Sequence, residues 1–381
     1  MECEKLYYVN PMQTTFIATV TGCSETAKGY AVTLSATAFY PEGGGQPCDL
    51  GTLGSARVLD VREKDDAIVH LCDASLTVGS LVEGTIDWDR RLDLMQQHTG
   101  EHILSGLIHK RFGYHNIGFH LGVTNIQIDF DGPIPAEALS ELEWEANRVI
   151  WEDRPVNCSF PAESELATIP YRSKKALAWP VRIVEIPGAD ICACCGTHLP
   201  SAGMVGSIKV LSCIKFHEGV RLEIVCGGRA LRYITAVYEQ NRQVSQTFSA
   251  KLLETGEAAR RASEALSAEK YRAAGLQTRL FDYIAKDYVN QKDVLHFEPG
   301  LDGAGVRTLA EKLCAVCNGF CAVFSEKEGG YSYCLATRDG DLRQLCKDMN
   351  AALGGRGGGK PQFQQGTVSA TEEQIRAFFH K

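Results

Sequence analysis

Short apolar runs that partly alternate with polar residues open the chain. They are Phe16-Ile17-Ala18-Thr19-Val20, Tyr30-Ala31-Val32-Thr33-Leu34 and Val58-Leu59-Asp60-Val61, separated by Gly, Asn, Asp and Pro. Period-two runs between turn formers predict strands, and several at this spacing predict a β-barrel-like domain over residues 1–88. At Asp89 the period changes. Leu92, Met95, Gln96, Thr99, Ile103, Gly106 and Leu107 recur at helical spacing, with Asp89 placed to cap the start and Gly113 to end the helix. A strand over 124–130, a helix over 135–151 and a strand pair at 207–211 and 221–225 make 89–233 an α+β domain. Residues 234–288 contain no proline and two glycines, Gly256 and Gly275; Ala, Glu, Arg, Gln and Leu dominate. That composition predicts a helical hairpin or coiled-coil segment. From Pro299-Gly300, within a last unit over 289–381, helices and strands lead to Gly354-Gly355-Arg356-Gly357-Gly358-Gly359-Lys360-Pro361 and a short C-terminal helix. The fold class expected is α+β.

One segment fits neither period. In Phe39-Tyr40-Pro41-Glu42-Gly43-Gly44-Gly45-Gln46-Pro47, three consecutive glycines suit a loop whose backbone must approach another backbone or a ligand closely. Composition narrows the setting. The first residues, Met1-Glu2-Cys3-Glu4-Lys5, carry acids where a signal peptide carries bases, and no apolar run is long enough to cross a bilayer. The expected location is the cytoplasm, where the 15 cysteines serve as free thiols or metal ligands. Cys314, Cys317 and Cys321 fall at helical spacing and are expected in the core. The net charge of −8 excludes a protein that grips nucleic acid with its whole surface. A nucleic-acid partner would have to meet local patches: Arg90-Arg91, Lys110-Arg111, Arg172 with Lys174-Lys175, or Arg356 with Lys360.

The chemistry concentrates in two pairs. His98-Thr99-Gly100-Glu101-His102 puts two imidazoles at i and i+4 on one helix face, a spacing that can hold one metal ion. Cys194-Cys195-Gly196-Thr197-His198 puts a thiol and an imidazole either side of a Gly turn. Three imidazoles and a thiolate form the tetrahedral nitrogen and sulfur set that zinc favours over magnesium or calcium. Cys192 and Cys195 are competing ligands. The order His98-x-x-Glu101-His102 also matches an inverted zincin pattern, in which Glu101 would activate water for peptide hydrolysis. Cys194 and His198 complete a zinc set without that reading, and it leaves both glycine motifs unexplained. A non-catalytic protein whose zinc serves folding alone is the other alternative.

Taken together in their order along the chain, these motifs resemble the editing domain of alanyl-tRNA synthetase and the AlaX editing proteins, with a similar module in threonyl-tRNA synthetase. Tyr40-Pro41 followed by Gly43-Gly44-Gly45-Gln46 is similar to the N-terminal domain of longer AlaX proteins. Gly355-Arg356-Gly357-Gly358-Gly359-Lys360-Pro361 resembles the glycine-rich motif of the DHHA1 domain. The resemblance covers nearly the whole chain, and no adenylation signature accompanies it. It implies ATP-independent hydrolysis of serine, and also glycine, from mischarged tRNA(Ala), with His98, His102, Cys194 and His198 on zinc. It further implies that Gly43, Gly44, Gly45 and Gln46 lie near the pocket. Gly355, Arg356, Gly357, Gly358, Gly359 and Lys360 would serve tRNA binding, and the helical and DHHA1-like regions tRNA binding or homodimerisation. Gln46, His120 and Glu101 are further pocket candidates, and backbone donors near Gly196 and the Gly43–Gly45 loop would polarise the ester.

Overall fold

A computed structural model describes residues 3–65, 67–173 and 177–380. Met1 and Glu2, and Lys174 and Lys175 of one expected basic patch, lie outside the described residues. The chain divides into two compact units, one ending at Gln243 and the other beginning at Val244. Among the described residues no helix is long and apolar enough to cross a membrane.

In the first unit, six strands close on themselves: Thr15–Thr26, Gly29–Leu34, Ala67–Cys72, Ala56–Lys64, Gly51–Leu53 and Leu81–Ile86, in that spatial order. Every neighbouring pair is antiparallel, and the last returns to the first through Thr15↔Thr85 to Thr19↔Leu81. Alternation sends Phe16, Ala18, Val20, Val32, Leu34, Val58, Val61 and Ile68 into a shared core. His70 lies fully buried in that interior, its ring nitrogens 2.8 Å from Thr37 Oγ1 and 3.1 Å from the Val32 carbonyl. Burial lowers its pKa to about 4. Well above pH 6.5 the ring is neutral in both folded and unfolded chains. Between 6.5 and about 4 the unfolded chain takes up the proton that the folded chain refuses, so stability falls as pH falls. Acidification from pH 6.5 to 5 should remove about 1.6 kcal/mol that a His70→Gln variant does not lose. Urea titrations of both full-length chains at the two pH values measure this, and equal slopes would refute it.

The rest of the unit packs a long helix, Trp88–Phe112, against a four-stranded sheet ordered Ile208–Phe216, Gly219–Cys226, Ile126–Phe130, Asn116–Leu121. The helix begins two residues earlier than an Asp89 cap implies. Asp87, not Asp89, is its cap, its carboxylate accepting from the Arg90 amide at 3.2 Å. Gly113 ends the helix at φ 73°, as expected of a left-handed cap. A second helix, Ala136–Trp151, lies on the same core. A small sheet ordered Asn157–Ser159, Ile183–Ile186, Asp190–Ala193 brings in the downstream half of the chemistry.

Helix Gly227–Phe248 starts directly from the strand before it, seven residues ahead of the expected segment; Thr255–Lys286 is a second helix. In the second unit a five-stranded sheet is ordered Val294–Phe297, Phe320–Lys327, Gly330–Thr337, Phe363–Val368, Arg356–Lys360. Its alternation feeds two cores, Cys321, Val323, Cys334 and Ala336 on one face and Ala322, Phe324, Tyr333 and Leu335 on the other. Two readings change here. Arg356–Lys360 is an edge strand, and a further strand, Phe363–Val368, separates it from the C-terminal helix Glu372–Phe379. The glycines permit that pairing: an ideal Cβ on Gly357 would lie 2.2 Å from Tyr333 Oη, and one on Gly359 2.2 Å from the Phe363 carbonyl. Cys314, Cys317 and Cys321 are buried as expected, but only Cys314 is helical; Cys317 caps the helix and Cys321 is in a strand.

Candidate metal centre

The central helix carries His98 and His102 one turn apart, and two glycines let it sit close to its neighbours. An ideal Cβ on Gly100 would lie 2.3 Å from Cys226 Sγ, and one on Gly106 2.3 Å from the Ala189 carbonyl. The second contact seats the helix on strand Asp190–Ala193, and the chain leaves that strand directly into Cys194. The turn from Cys194 to His198 is held from behind by the buried Arg182, whose Nη1 donates to the Cys194 and Gly196 carbonyls at 2.9 Å each. Gly196 is required by proximity, since a Cβ there would fall 2.2 Å from His98 Cε1.

The result is a tight cluster. One ligand atom from each of His98, His102, Cys194 and His198 lies within 4.8 Å of the others. The three imidazoles are 2%, 2% and 1% exposed, and their ring centroids are 4.7–5.3 Å apart. His98 Nε2 is 3.4 Å from Cys194 Sγ.

Each helical histidine is oriented through its other nitrogen. His98 Nδ1 donates to Gln46 Oε1 at 2.7 Å, and that amide is itself fixed by Thr197, whose hydroxyl accepts from Gln46 Nε2 at 2.8 Å. His102 Nδ1 donates to Asp190 Oδ2 at 2.8 Å, and Arg172 grips both oxygens of that carboxylate at 2.7 and 2.8 Å. Both histidines are thereby held with Nε2 toward the cluster, the arrangement by which outer partners aim metal ligands.

The electrostatics agree. Burial opposes a thiolate at Cys194, but His98, His198 and His102 outweigh it and hold the thiol well below its usual pKa. Burial pushes His198 down to about 3, so its ring is neutral. For His102, burial is overcome by Cys194 and Asp190, which hold its pKa well above the usual value. His198 Nε2 is buried with no hydrogen-bond partner. A buried thiolate, an orphaned imidazole nitrogen and two pre-aimed imidazoles fit a soft-tolerant divalent cation such as zinc, which can replace the proton among them.

The other expected site residues are placed as follows. Gln46 is fully buried beside His98. In its loop, Gly44 and Gly45 take φ 59° and 86°, and a Cβ on Gly45 would meet Phe119, whose ring stacks on His98 at 5.1 Å. His120, the next residue of that strand, is exposed, and it is Phe119 that reaches the cluster. Glu101 is buried and accepts from Ser105 and Asn116; it is not one of the clustered donors. Cys195 is exposed, whereas Cys192 forms a second close group with His102 and Asp190. Near Gly196, where backbone donors were expected, the Gly196 amide donates to Cys194 Sγ at 3.4 Å and the Thr197 amide to Gln46 Oε1 at 3.2 Å.

Two basic patches are corrected. Arg91 is fully buried and paired with Asp49, so only Arg90 of that pair is on the surface. Arg172 is spent on Asp190. Sequence reasoning missed Asp190, Arg172, Thr197, Arg182 and Phe119. An Asp four residues before the ligand cysteine was visible, but no periodicity marks it as the partner of a histidine 88 residues upstream.

Comparison with known proteins comes to the same region. Residues 181–222 match the family described as the threonyl and alanyl tRNA synthetase second additional domain, and residues 4–90 match class II (A) tRNA synthetases. The alanine–tRNA ligase of Ignicoccus hospitalis is 36% identical over 258 residues, covering 64% of this chain and 28% of the ligase. Those of Halorubrum lacusprofundi and Pyrococcus abyssi are 30% and 31% identical over 96% and 99% of this chain. The chain spans less than half the length of these relatives, 42% and 43%. The solved C-Ala domain of Aquifex aeolicus alanyl-tRNA synthetase aligns with 24% of this chain and 92% of that domain, at 16% identity and a TM-score of 0.22, a likeness too slight to bear on the fold.

Proposed function

Because the chain is an AlaX-like relative of alanyl-tRNA synthetase, we propose that it is a zinc-dependent hydrolase that removes serine, and also glycine, from mischarged tRNA(Ala). The observation that carries this reading is the convergence of His98, His102, Cys194 and His198 within 4.8 Å. Two of the four, Cys194 and His198, lie inside the stretch similar to the synthetases' second additional domain.

Zinc held by these four residues would supply positive charge where the tetrahedral oxyanion of ester hydrolysis develops. The chain's own residues do the rest. Gln46 and the Asp190–Arg172 pair keep His98 and His102 in the tautomer that presents Nε2. Phe119 and the Gly43–Gln46 turn wall the cluster from bulk water, which strengthens every charge interaction inside. For serine against alanine alone, a pocket built to bond the serine hydroxyl would leave its own polar group unpaired when alanine enters, worth a discrimination of about 10⁴; release of glycine rests on the family resemblance and not on this bond.

The four-part organisation, 1–88, 89–233, 234–288 and 289–381, belongs to the same proposal. The last two parts would contribute tRNA binding or homodimerisation, with Arg356 and Lys360 exposed on the glycine-rich edge strand. The protein would act in the cytoplasm without ATP.

The test is deacylation of tRNA(Ala) charged with Ser, Gly or Ala by the zinc-loaded protein. Ser and Gly should be released and Ala spared, and chelation should stop the reaction. Release of none of the three by folded, zinc-loaded protein would overturn the reading.

A further inference from the structure

Of the four clustered donors, His98, His102 and His198 are buried and Cys194 is only partly so, which leaves the Cys194 side as the approach from solvent. The residues around that approach come from distant stretches of the first unit. Cys195, exposed and next in sequence, hydrogen-bonds the Tyr8 hydroxyl through its thiol. Cys158, also exposed, lies close enough to Cys194 and His102 for their charges to act on it. It sits in strand Asn157–Ser159, and Phe160 follows that strand directly.

Three aromatic rings gather here. Tyr8 and Phe160 meet edge to face, with centroids 5.6 Å apart and planes at 69°. Trp179 donates its indole N–H to the Pro161 carbonyl at 3.2 Å, which sets it beside the segment that carries Phe160. Phe160 and Trp179 are 53% and 54% exposed. Among the described residues neither belongs to a hydrophobic core. Large apolar rings grouped in water beside a polar cluster mark a binding surface. The group is tied to the metal centre through Arg182. Its guanidinium carbon lies 4.9 Å from the centroid of the Tyr8 ring, and its Nη1 lies 3.5 Å from His198 Nδ1. Two short contacts thus separate the rings from the cluster, a gap on the scale of one nucleoside.

We propose that Phe160 and Trp179, with Tyr8 and Arg182 behind them, form a stacking platform for the nucleobase on the ribose that bears the ester. This rests on the hydrolase reading above. The occupant follows from connectivity. An ester held at the cluster fixes its ribose at the Cys194 approach, and the base leaves the far side of that sugar toward the rings. Phe160 has no hydrogen-bonding group, and the Trp179 N–H is committed to Pro161. These rings therefore recognise the face of a base and not its edge. Stacking of this kind accepts any base, because every base has a π face. The guanidinium against Tyr8 strengthens the ring group by cation–π attraction. Phe160 and Trp179 are positioning residues: they hold the base, and the cluster does the chemistry.

The experiment uses seryl-tRNA(Ala) ending in adenosine, in guanosine, or in a ribose without a base. Wild-type protein should hydrolyse the first two within about threefold of each other. The baseless ester should lose about five- to a hundredfold in kcat/KM, chiefly through KM. Phe160→Ala should weaken adenosine-ended substrate toward the baseless value while leaving the baseless ester unchanged, and Phe160→Tyr should restore the difference. Trp179→Ala is read in the same way, and the thermal midpoint and zinc content are measured in parallel. Wild-type protein indifferent to the base overturns the platform and leaves the hydrolase standing. So does a base preference undiminished in both folded alanine variants, or an equal loss on all three esters. If wild-type protein hydrolyses none of them, the hydrolase reading falls. Binding of uncharged tRNA(Ala) with and without its terminal base then decides the platform. A preference for the base that Phe160→Ala abolishes upholds it, and equal affinities overturn it.

Discussion

His98→Ala is expected to lower hydrolysis of seryl-tRNA(Ala) by at least about a thousandfold. A single preorganised hydrogen-bond donor to a developing oxyanion is already worth about 10²–10³, and this substitution takes away one of only four donors. It also takes the imidazole from Gln46 Oε1, leaving that buried oxygen with the Thr197 amide alone. A graded series sharpens the result. Gln46→Ala and Asp190→Asn leave all four donors in place and loosen only the aim of His98 or His102. Each should weaken zinc affinity by about 10–100-fold, the usual worth of an outer partner of a metal-bound histidine. Competition with a chromogenic chelator measures the affinities, and single-turnover deacylation the rates. Full activity in a folded His98→Ala chain would remove the metal from the account.

The largest stability loss should come from Arg91→Leu. Arg91 and Asp49 are both fully buried. The guanidinium donates to Asp49 Oδ1 at 2.9 Å, pairs with Oδ2, and reaches the Pro11 and Ala38 carbonyls at 2.8 and 2.6 Å. Asp49 in turn accepts from the Tyr40 amide at 2.6 Å. Removing the cation leaves a carboxylate without its countercharge in a closed interior, which costs about 3–5 kcal/mol. The damage is directed. Tyr40 begins the glycine loop and its hydroxyl donates to the Gly43 carbonyl at 3.1 Å, so the loop that carries Gln46 to His98 should loosen as well. Urea unfolding of the full chain reads the first effect and zinc affinity the second. Arg90→Ala, half-exposed with one bond to the Cys48 carbonyl, should change stability by less than about 1 kcal/mol. An Arg91→Leu chain as stable as wild type would show that the pair contributes nothing net.

These two outcomes separate what local pattern can carry from what it cannot. Helix Trp88–Phe112 was legible because its apolar period, its acidic start and Gly113 all act within a few residues. The cluster that could hold a metal was legible for a related reason: His98 and His102 are one helical turn apart and Cys194 and His198 one tight turn apart, so each half of the cluster is a local motif. The glycine loop announced itself through residues that only a left-handed or crowded backbone requires, as Gly44 and Gly45 confirm.

What the linear order could not convey is partnership across distance. Arg91 reads as half of a surface dibasic pair, and only the closing of the barrel loop around it makes it the most deeply buried cation of the first unit among the described residues. Asp190, Arg172 and Thr197 are ordinary polar residues until the fold sets them against His102 and Gln46, 88 and 151 positions away. His120 turns to the exposed side of its strand, and its neighbour Phe119 is the one that reaches His98. Periodicity and short motifs thus determined which elements form and which atoms can bind a metal, since those depend on neighbours in the chain. Burial, charge pairing and the aim of each ligand depend on neighbours in space, and only the tertiary structure decided them.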